Sequence, residues 1–271
     1  MQLSTDTELE VDMPTGSPHS EDRSWFPERP ADGSARLFAV PYAGGGASLY
    51  RGWAARMPSV AVVPVQLPGR ESRITEEAFS RIEPLVASLA DAADGMLDEP
   101  YALFGHSMGA RIAFELAREL RRRGQPDPLA LVVSGCKAPH IPRVPNPSVV
   151  SLPEHLFVQM LRRMNGTPPE VFDDPELLAA LLPALRADFT LIDQYEYRDE
   201  RALTCPIRVF GGTEDSDARE SDLLAWQTHT VSSFRLRLLS GGHFVVRTRQ
   251  REMTSAIAQD LADLLGERHS G

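Results

Sequence analysis

Leu103-Phe104-Gly105-His106-Ser107-Met108-Gly109-Ala110 is the stretch on which the reading of this chain turns. An apolar segment runs into a serine flanked by glycines and then straight into an amphipathic helical pattern. Gly-x-Ser-x-Gly at such a junction is a nucleophile elbow: a strand, a sharp strained turn carrying the serine, then a helix. Gly105 and Gly109 stand two residues either side of Ser107, where strand and helix converge and a Cβ would clash. Five residues alone make a weak pattern. Their place between a strand and a helix makes Ser107 the candidate nucleophile.

Reading outward, the same alternation continues on both sides. Arg36 to Pro41 is a short apolar run that ends in the Gly-rich turn Tyr42-Ala43-Gly44-Gly45-Gly46-Ala47-Ser48, which predicts a buried strand and a turn. Ser48 to Met57 reads as a short helix with Trp53 on its inner face. Ala61 to Gln66 is a second strand, stopped by Leu67-Pro68-Gly69-Arg70. A helical stripe, Ile82, Leu85, Val86, Leu89, Ala93 and Leu97, predicts a helix over 79–97. Tyr101 to Gly105 is the elbow strand and Met108 to Arg123 the elbow helix, with Gly124 ending it. Further strands follow at 129–134, 206–210 and 234–239, and a last amphipathic helix at 252–265. Short apolar strands alternating with amphipathic helices predict an α/β fold, a mostly parallel central sheet flanked by helices on both faces.

Two segments break the pattern. Residues 138–200 hold a Pro-rich loop and helical patterns at 153–164 and 175–197, with no clear strand. This is more chain than a connection needs, and a helical lid insertion is expected. Residues 1–34 are rich in Ser, Asp, Glu, Pro and Gly, with few apolar side chains beyond Trp25 and Phe26. A disordered or loosely attached tail is expected there, leaving 35–271 as the folded domain.

Composition excludes several classes. In 271 residues the net charge is −10, which argues against nucleic acid or an anionic membrane as partner. No apolar run is long enough to span a bilayer, and the acidic N-terminus carries no signal pattern, so a cytoplasmic protein is expected. The two cysteines, Cys136 and Cys205, lie far apart and abut apolar stretches. They read as small core residues rather than a disulfide or a metal site. The turn at Gly44–Gly46 lacks both the Gly-Lys-Ser/Thr of a phosphate cradle and the Gly-x-Gly-x-x-Gly spacing, so no cofactor and no metal are expected.

A serine hydroxyl needs an adjacent base, itself oriented by an acid. On a sheet of this kind the chain order is Ser, then Asp or Glu, then His, which filters the seven histidines. His19 and His269 lie near the termini. His106 precedes the serine and should point away from the site's mouth. His140 and His155 belong to the insertion, and His229 to a helical segment. His243 remains, in the turn Ser240-Gly241-Gly242-His243-Phe244 after a strand. The acid belongs in Gly212-Thr213-Glu214-Asp215-Ser216-Asp217, where Asp215 is the choice and Asp217 and Glu214 stay open. Oxyanion donors would be the amides of Met108, at a helix N-terminus, and of Ala43 in the Gly-rich turn.

Taken together, Val-Pro-Tyr-Ala-Gly-Gly-Gly, Gln-Leu-Pro-Gly-Arg-Glu, Gly-His-Ser-Met-Gly-Ala, Asn-Gly-Thr-Pro-Pro-Glu-Val, Leu-Arg-Ala-Asp-Phe and Leu-Ser-Gly-Gly-His-Phe resemble the type II thioesterases of polyketide and nonribosomal peptide synthesis, on the α/β-hydrolase fold. The resemblance spans about Leu37 to Leu265. It implies hydrolysis of acyl thioesters on the phosphopantetheine arm of acyl or peptidyl carrier proteins. Ser107 is then the nucleophile, His243 the base, Asp215 the acid, and Ala43 with Met108 the oxyanion amides. The run after Asp215, Ser-Asp-Ala-Arg-Glu, is more charged than the family pattern, which keeps Asp217 in play. A monomer is expected. Carrier proteins are acidic, as this chain is, so a local basic patch is expected at the entrance, from Arg70, Arg73, Arg162 and Arg163. Leu156, Met160, Leu181, Leu182 and Phe189 are candidates to line the acyl chamber. The rival readings are a small-molecule carboxylesterase or lipase and a non-catalytic carrier-binding module.

Overall fold

The structure, a computed structural model, describes residues 22–28, 33–142 and 149–270. Among the described residues six strands, β1 (Ala35–Val40), β2 (Val60–Pro64), β3 (Tyr101–His106), β4 (Leu131–Ser134), β5 (Ile207–Gly212) and β6 (Phe234–Leu239), form one sheet. Their order is β2-β1-β3-β4-β5-β6 and every neighbouring pair is parallel. β2 to β5 are buried along their whole length, as their largely apolar sequences require of strands covered on both faces.

Eight helices of the described residues accompany the sheet: α1 (Asp22–Trp25), α2 (Ile82–Ala93), α3 (Met108–Arg122), α4 (Glu154–Met164), α5 (Pro175–Asp193), α6 (Glu220–Leu224), α7 (Val245–Thr248) and α8 (Gln250–Ser270). One apolar layer joins Leu85 and Leu89 of α2, Ile112 and Leu116 of α3, and Leu103, Leu131 and Val209 of the sheet. The other joins Met253, Ile257 and Leu261 of α8 with Trp53, Phe104 and Val132. Helices α4 and α5 have a separate core of Phe157, Leu161, Phe172, Leu182, Leu185 and Phe189. They close on the end of the sheet where the strands terminate: a Cβ on Gly44, just past β1, would stand 2.5 Å from Leu185 Cδ2.

Three expectations need correction. The stretch 48–57 is two 3₁₀ turns, Ala47–Tyr50 and Ala54–Arg56, separated at Gly52 with φ +80°, and not one helix. Trp53 is nevertheless fully buried, its ring 5.0 Å from that of Phe104. The insertion's second helical stretch is a single helix that ends at Asp193. The N-terminal segment 1–34 lies outside the described residues at 1–21 and 29–32, and the part that is described is docked. Trp25 and Phe26 are buried in the α2–α3 layer, and Trp25 O accepts from Gln66 N at 2.8 Å. Two large aromatic side chains remove enough apolar surface from water to hold a segment whose average composition is polar. Among the described residues no helix is long and apolar enough to cross a membrane. Both cysteines are buried and neither is in a disulfide, and burial pushes the Cys205 thiol up to about 12.

Candidate active site

β3 ends and α3 begins with a single residue between them, Ser107. Its backbone sits at φ 55°, ψ −115°, a region that costs an L-residue on the order of 1–3 kcal/mol and is held only where the surroundings enforce it. The enforcement is visible. Ser107 N–H donates to Ser134 O on β4 at 2.8 Å, and α3 starts against the ends of β1 and β3. A Cβ on Gly105 would lie 2.5 Å from Ala110 N and closer still to the Gly109 carbonyl, and one on Gly109 would lie 2.7 Å from Pro41 O. Ser107 is half-buried, at the N-terminus of a fifteen-residue helix.

His243 and Asp215 come from the ends of the two neighbouring strands β6 and β5. Gly212 allows it: a Cβ there would strike the carbonyls of Gly241 and Gly242. His243 Nδ1 stands 2.8 Å from Asp215 Oδ2, with the carboxylate buried and the ring half-exposed. The other carboxylate oxygen accepts from Asp217 N at 2.8 Å and Ala218 N at 3.2 Å. Burial works to raise the Asp215 pKa; the hydrogen bond and charge of His243, with the two amides, outweigh it and hold the carboxyl below its ordinary value. The alternatives are thereby separated by position. Glu214 and Asp217 are exposed, and Asp217 supplies its amide to Asp215 instead of its carboxylate to His243.

The Met108 N–H opens α3 and has no acceptor within the helix. The Ala43 N–H donates to no acceptor among the described residues. A half-buried hydroxyl, a hydrogen-bonded His–Asp pair and two backbone donors on adjoining strand ends are the parts of acyl transfer through a serine ester. Asp215, Asp217 and His243 are also the one group of three metal-ligating side chains found among the described residues, with ligand atoms within 4.8 Å of one another. Both Asp215 oxygens are engaged by His243 and the two amides.

Sequence reasoning misplaced some residues and overlooked others. His106 is turned inward from the mouth, as expected, but its role was overlooked: its ring is fully buried 5.0 Å from that of His243, with Nδ1 3.1 Å from Ser134 Oγ. Burial, then the charges of His243 and Arg247, press its pKa well below the usual value, so it is a neutral wall behind the His243 ring. Arg70 and Arg73 are not an entrance patch. Arg70 is buried in a bidentate pair with Asp188, and Arg73 lies buried over the Trp25 ring and pairs with Glu76; Arg162 and Arg163 are exposed. Of the candidate chamber residues, Leu182 and Phe189 are core of the helical insertion and Leu156 is exposed. Leu181 faces a small cavity shared with Gly44, Arg70, Val171, Ala184 and Leu185. Asp188 was overlooked; its signal was its place in Leu-Arg-Ala-Asp-Phe, a polar residue on the inner face of an apolar helix.

The thioesterase-domain family profile matches residues 35–264. The chain is 39% identical over 253 residues to linear gramicidin dehydrogenase LgrE of Brevibacillus parabrevis, covering 91% of this chain and 96% of that protein. A dehydrogenase of the common dinucleotide-binding type carries a Gly-x-Gly-x-x-Gly turn, which this chain lacks. RedJ, a thioesterase from the prodiginine biosynthetic pathway of Streptomyces coelicolor, superposes with a TM-score of 0.78 at 35% identity, covering 89% of this chain and 100% of that one. The type II thioesterase BorB from the borrelidin biosynthetic cluster does so with a TM-score of 0.78 at 33% identity, covering 90% and 98%. With that sheet, that elbow and these relatives, the chain belongs to the thioesterase family, among the type II enzymes of polyketide and nonribosomal peptide biosynthesis on the α/β-hydrolase fold.

Proposed function

We propose that the protein hydrolyses acyl thioesters carried on the phosphopantetheine arm of acyl or peptidyl carrier proteins, and so clears unwanted acyl units from a synthase in the cytoplasm. His243 takes the proton of Ser107 as its oxygen attacks the thioester carbonyl. The oxyanion is met by the amides of Ala43 and Met108, and as the carbon–sulfur bond breaks His243 passes its proton to the sulfur, so that the pantetheine thiol leaves. Water activated by His243 then attacks the acyl-serine carbonyl, and Ser107 recovers its proton as the free acid departs. Asp215 holds the imidazole in one tautomer and stabilises its cationic form without taking the proton. The helical insertion, 138–200, acts as a lid that shapes the acyl chamber and admits the long, narrow arm.

The observations that support this reading are the 2.8 Å contact between His243 Nδ1 and Asp215 and, at the end of β3, a serine in elbow geometry. The test is mass spectrometry of carrier proteins loaded with short, long, branched and aminoacyl units, incubated with the enzyme and with Ser107→Ala. Unloading should fall by roughly 10⁶ in the variant. Retained unloading by Ser107→Ala refutes the catalytic reading. Preference for an oxygen ester over its matched thioester would refute the assignment of the leaving group.

A further inference from the structure

Gln66-Leu67-Pro68-Gly69-Arg70-Glu71, the turn that follows β2, carries three polar side chains that no step of the chemistry uses. Each of its polar side chains reaches the Gly-rich loop after β1. Gln66, 1% exposed, accepts the Ala47 N–H at 3.1 Å and directs its own amide to Leu67 O and Arg70 O. Arg70, 4% exposed, donates to Gly45 O at 3.3 Å and through two nitrogens to the Asp188 carboxylate at 2.7 and 2.8 Å. Asp188, 2% exposed on α5, in turn accepts the Gly44 N–H at 2.7 Å. Glu71, itself at φ 48°, accepts the Ser48 N–H at 3.3 Å and the Ser48 hydroxyl. Gly46 leaves room for that carboxylate, since a Cβ would lie 2.8 Å from Glu71 Oε2.

Four consecutive contacts thus grip the backbone of residues 44, 45, 47 and 48, immediately beyond Ala43, whose amide has no protein acceptor among the described residues. A glycine run has no side chains of its own to fix it and the most conformational freedom to lose. An oxyanion donor, however, helps only if it is already aimed before charge develops. A buried ion pair is a weak device for stability, because desolvation offsets much of its attraction. Here its contribution is geometric, since Asp188 holds both a loop amide and the arginine that holds the next carbonyl.

We propose that Gln66, Arg70, Glu71 and Asp188 are positioning residues that lock the 44–48 backbone so that the Ala43 amide is aimed at the reacting carbonyl oxygen. Through Asp188, the seating of helix α5 then sets that aim, and the lid and the oxyanion site move as one unit. This rests on the oxyanion role given to Ala43 above.

The test uses the full-length chain. Asp188→Asn keeps the shape and one acceptor for Gly44 but loses the charge that holds both Arg70 nitrogens. Its kcat on an acyl-pantetheine thioester should fall roughly 10–100-fold, below the ~10²–10³ of a donor removed outright, with KM within about twofold. Affinity for a trifluoromethyl ketone analogue, which forms an alkoxide on Ser107, should fall by the same factor. Arg70→Lys should recover less than half of the wild-type kcat, because an ammonium cannot bridge both acceptors. Glu71→Ala is exposed and safe to fold, and should lower kcat roughly 3–10-fold in the same pattern; it decides the matter if Asp188→Asn does not fold. Parallel losses in kcat and analogue affinity support the proposal. A lowered Tm with unchanged kcat per titrated active site overturns it, and so does a loss confined to KM. Ser107→Ala run alongside separates the two readings: if it is inactive while the clamp variants keep full kcat, the positioning proposal alone falls, and if it stays active the triad falls first.

Discussion

Gly105→Ala puts the elbow under direct mechanical test. A Cβ at residue 105 would stand 2.5 Å from Ala110 N and nearer to the carbonyl of Gly109, whereas ordinary contact begins at 3.4 Å. β3 and α3 must therefore part by about 0.9 Å at Ala110, and by more at Gly109. The obstructing atoms are backbone, so no side chain can swing aside. α3 cannot retreat freely either, because Gly109 already rests against Val40 and Pro41. Overpacking of this kind costs roughly 1–3 kcal/mol. In a chain of this size that is a Tm lower by roughly 2–10 °C. The kinetic effect is larger, because Ser107 and the Met108 amide ride on the displaced turn, and a ~1 Å misplacement costs about 10²-fold in rate. Thermal unfolding by circular dichroism and steady-state kinetics on an acyl thioester measure the two effects. Gly266→Ala is the control: it lies within α8 with no atom near its Cβ, and should be neutral or stabilise by about 0.5–1 kcal/mol. A Gly105→Ala protein with Tm within about 1 °C of wild type and kcat/KM within about threefold would refute the steric account of the elbow.

Three further outcomes follow from the site and its neighbours. Asp215→Asn should lower kcat roughly 10⁴-fold by releasing the imidazole tautomer. Because the folded Asp215 carboxyl is held below its unfolded value of about 3.9, its stabilisation is complete above that pH and fades as pH drops through the folded value; the stability gap between wild type and variant should close under acid unfolding. Gly212→Ala should push the Asp215 loop off the carbonyls of Gly241 and Gly242, and the low-field proton resonance of the His243–Asp215 bond should disappear together with at least about tenfold in kcat. His229, buried and 2.7 Å from His140 Nδ1, is drawn down to about 4, by burial first and then by the charges of His140 and Arg118. Wild type should then lose on the order of 2–3 kcal/mol between pH ~6.5 and 4, as the unfolded chain takes up a proton that the folded one refuses, and His229→Gln should flatten that slope in pH-dependent urea titrations.

The elbow was legible because its rule is local. A strand, a turn and a helix separated by single residues either clash or do not, and the glycines at 105 and 109 record that outcome in the sequence. The meeting of the Asp215 and His243 loops was legible for a related reason: loops at one edge of a parallel sheet meet, and the chain visits them in turn. Asp215 and Asp217 were harder to separate, since both lie in one acidic turn; only the fold shows that Asp217 offers its amide and Asp215 its carboxylate. Arg70 read as a surface charge because its partner Asp188 is 118 positions away. Trp25 and Phe26 stand out in a polar segment, but the layer that buries them is assembled from β1 and α2 and has no local signature.

The sequence by itself thus determined the alternation of strands and helices, the parallel sheet, the elbow and the two loops that meet at His243. Each of these depends on side-chain period, chain order or contact between near neighbours. Only the tertiary structure decided which carboxylate stands against His243, that His106 backs the His243 ring, and that Gln66, Arg70, Glu71 and Asp188 grip the loop beside Ala43. Those are pairings across tens to more than a hundred residues. A charged side chain looks the same in the sequence whether water or a distant partner satisfies it, and burial alone decides between them.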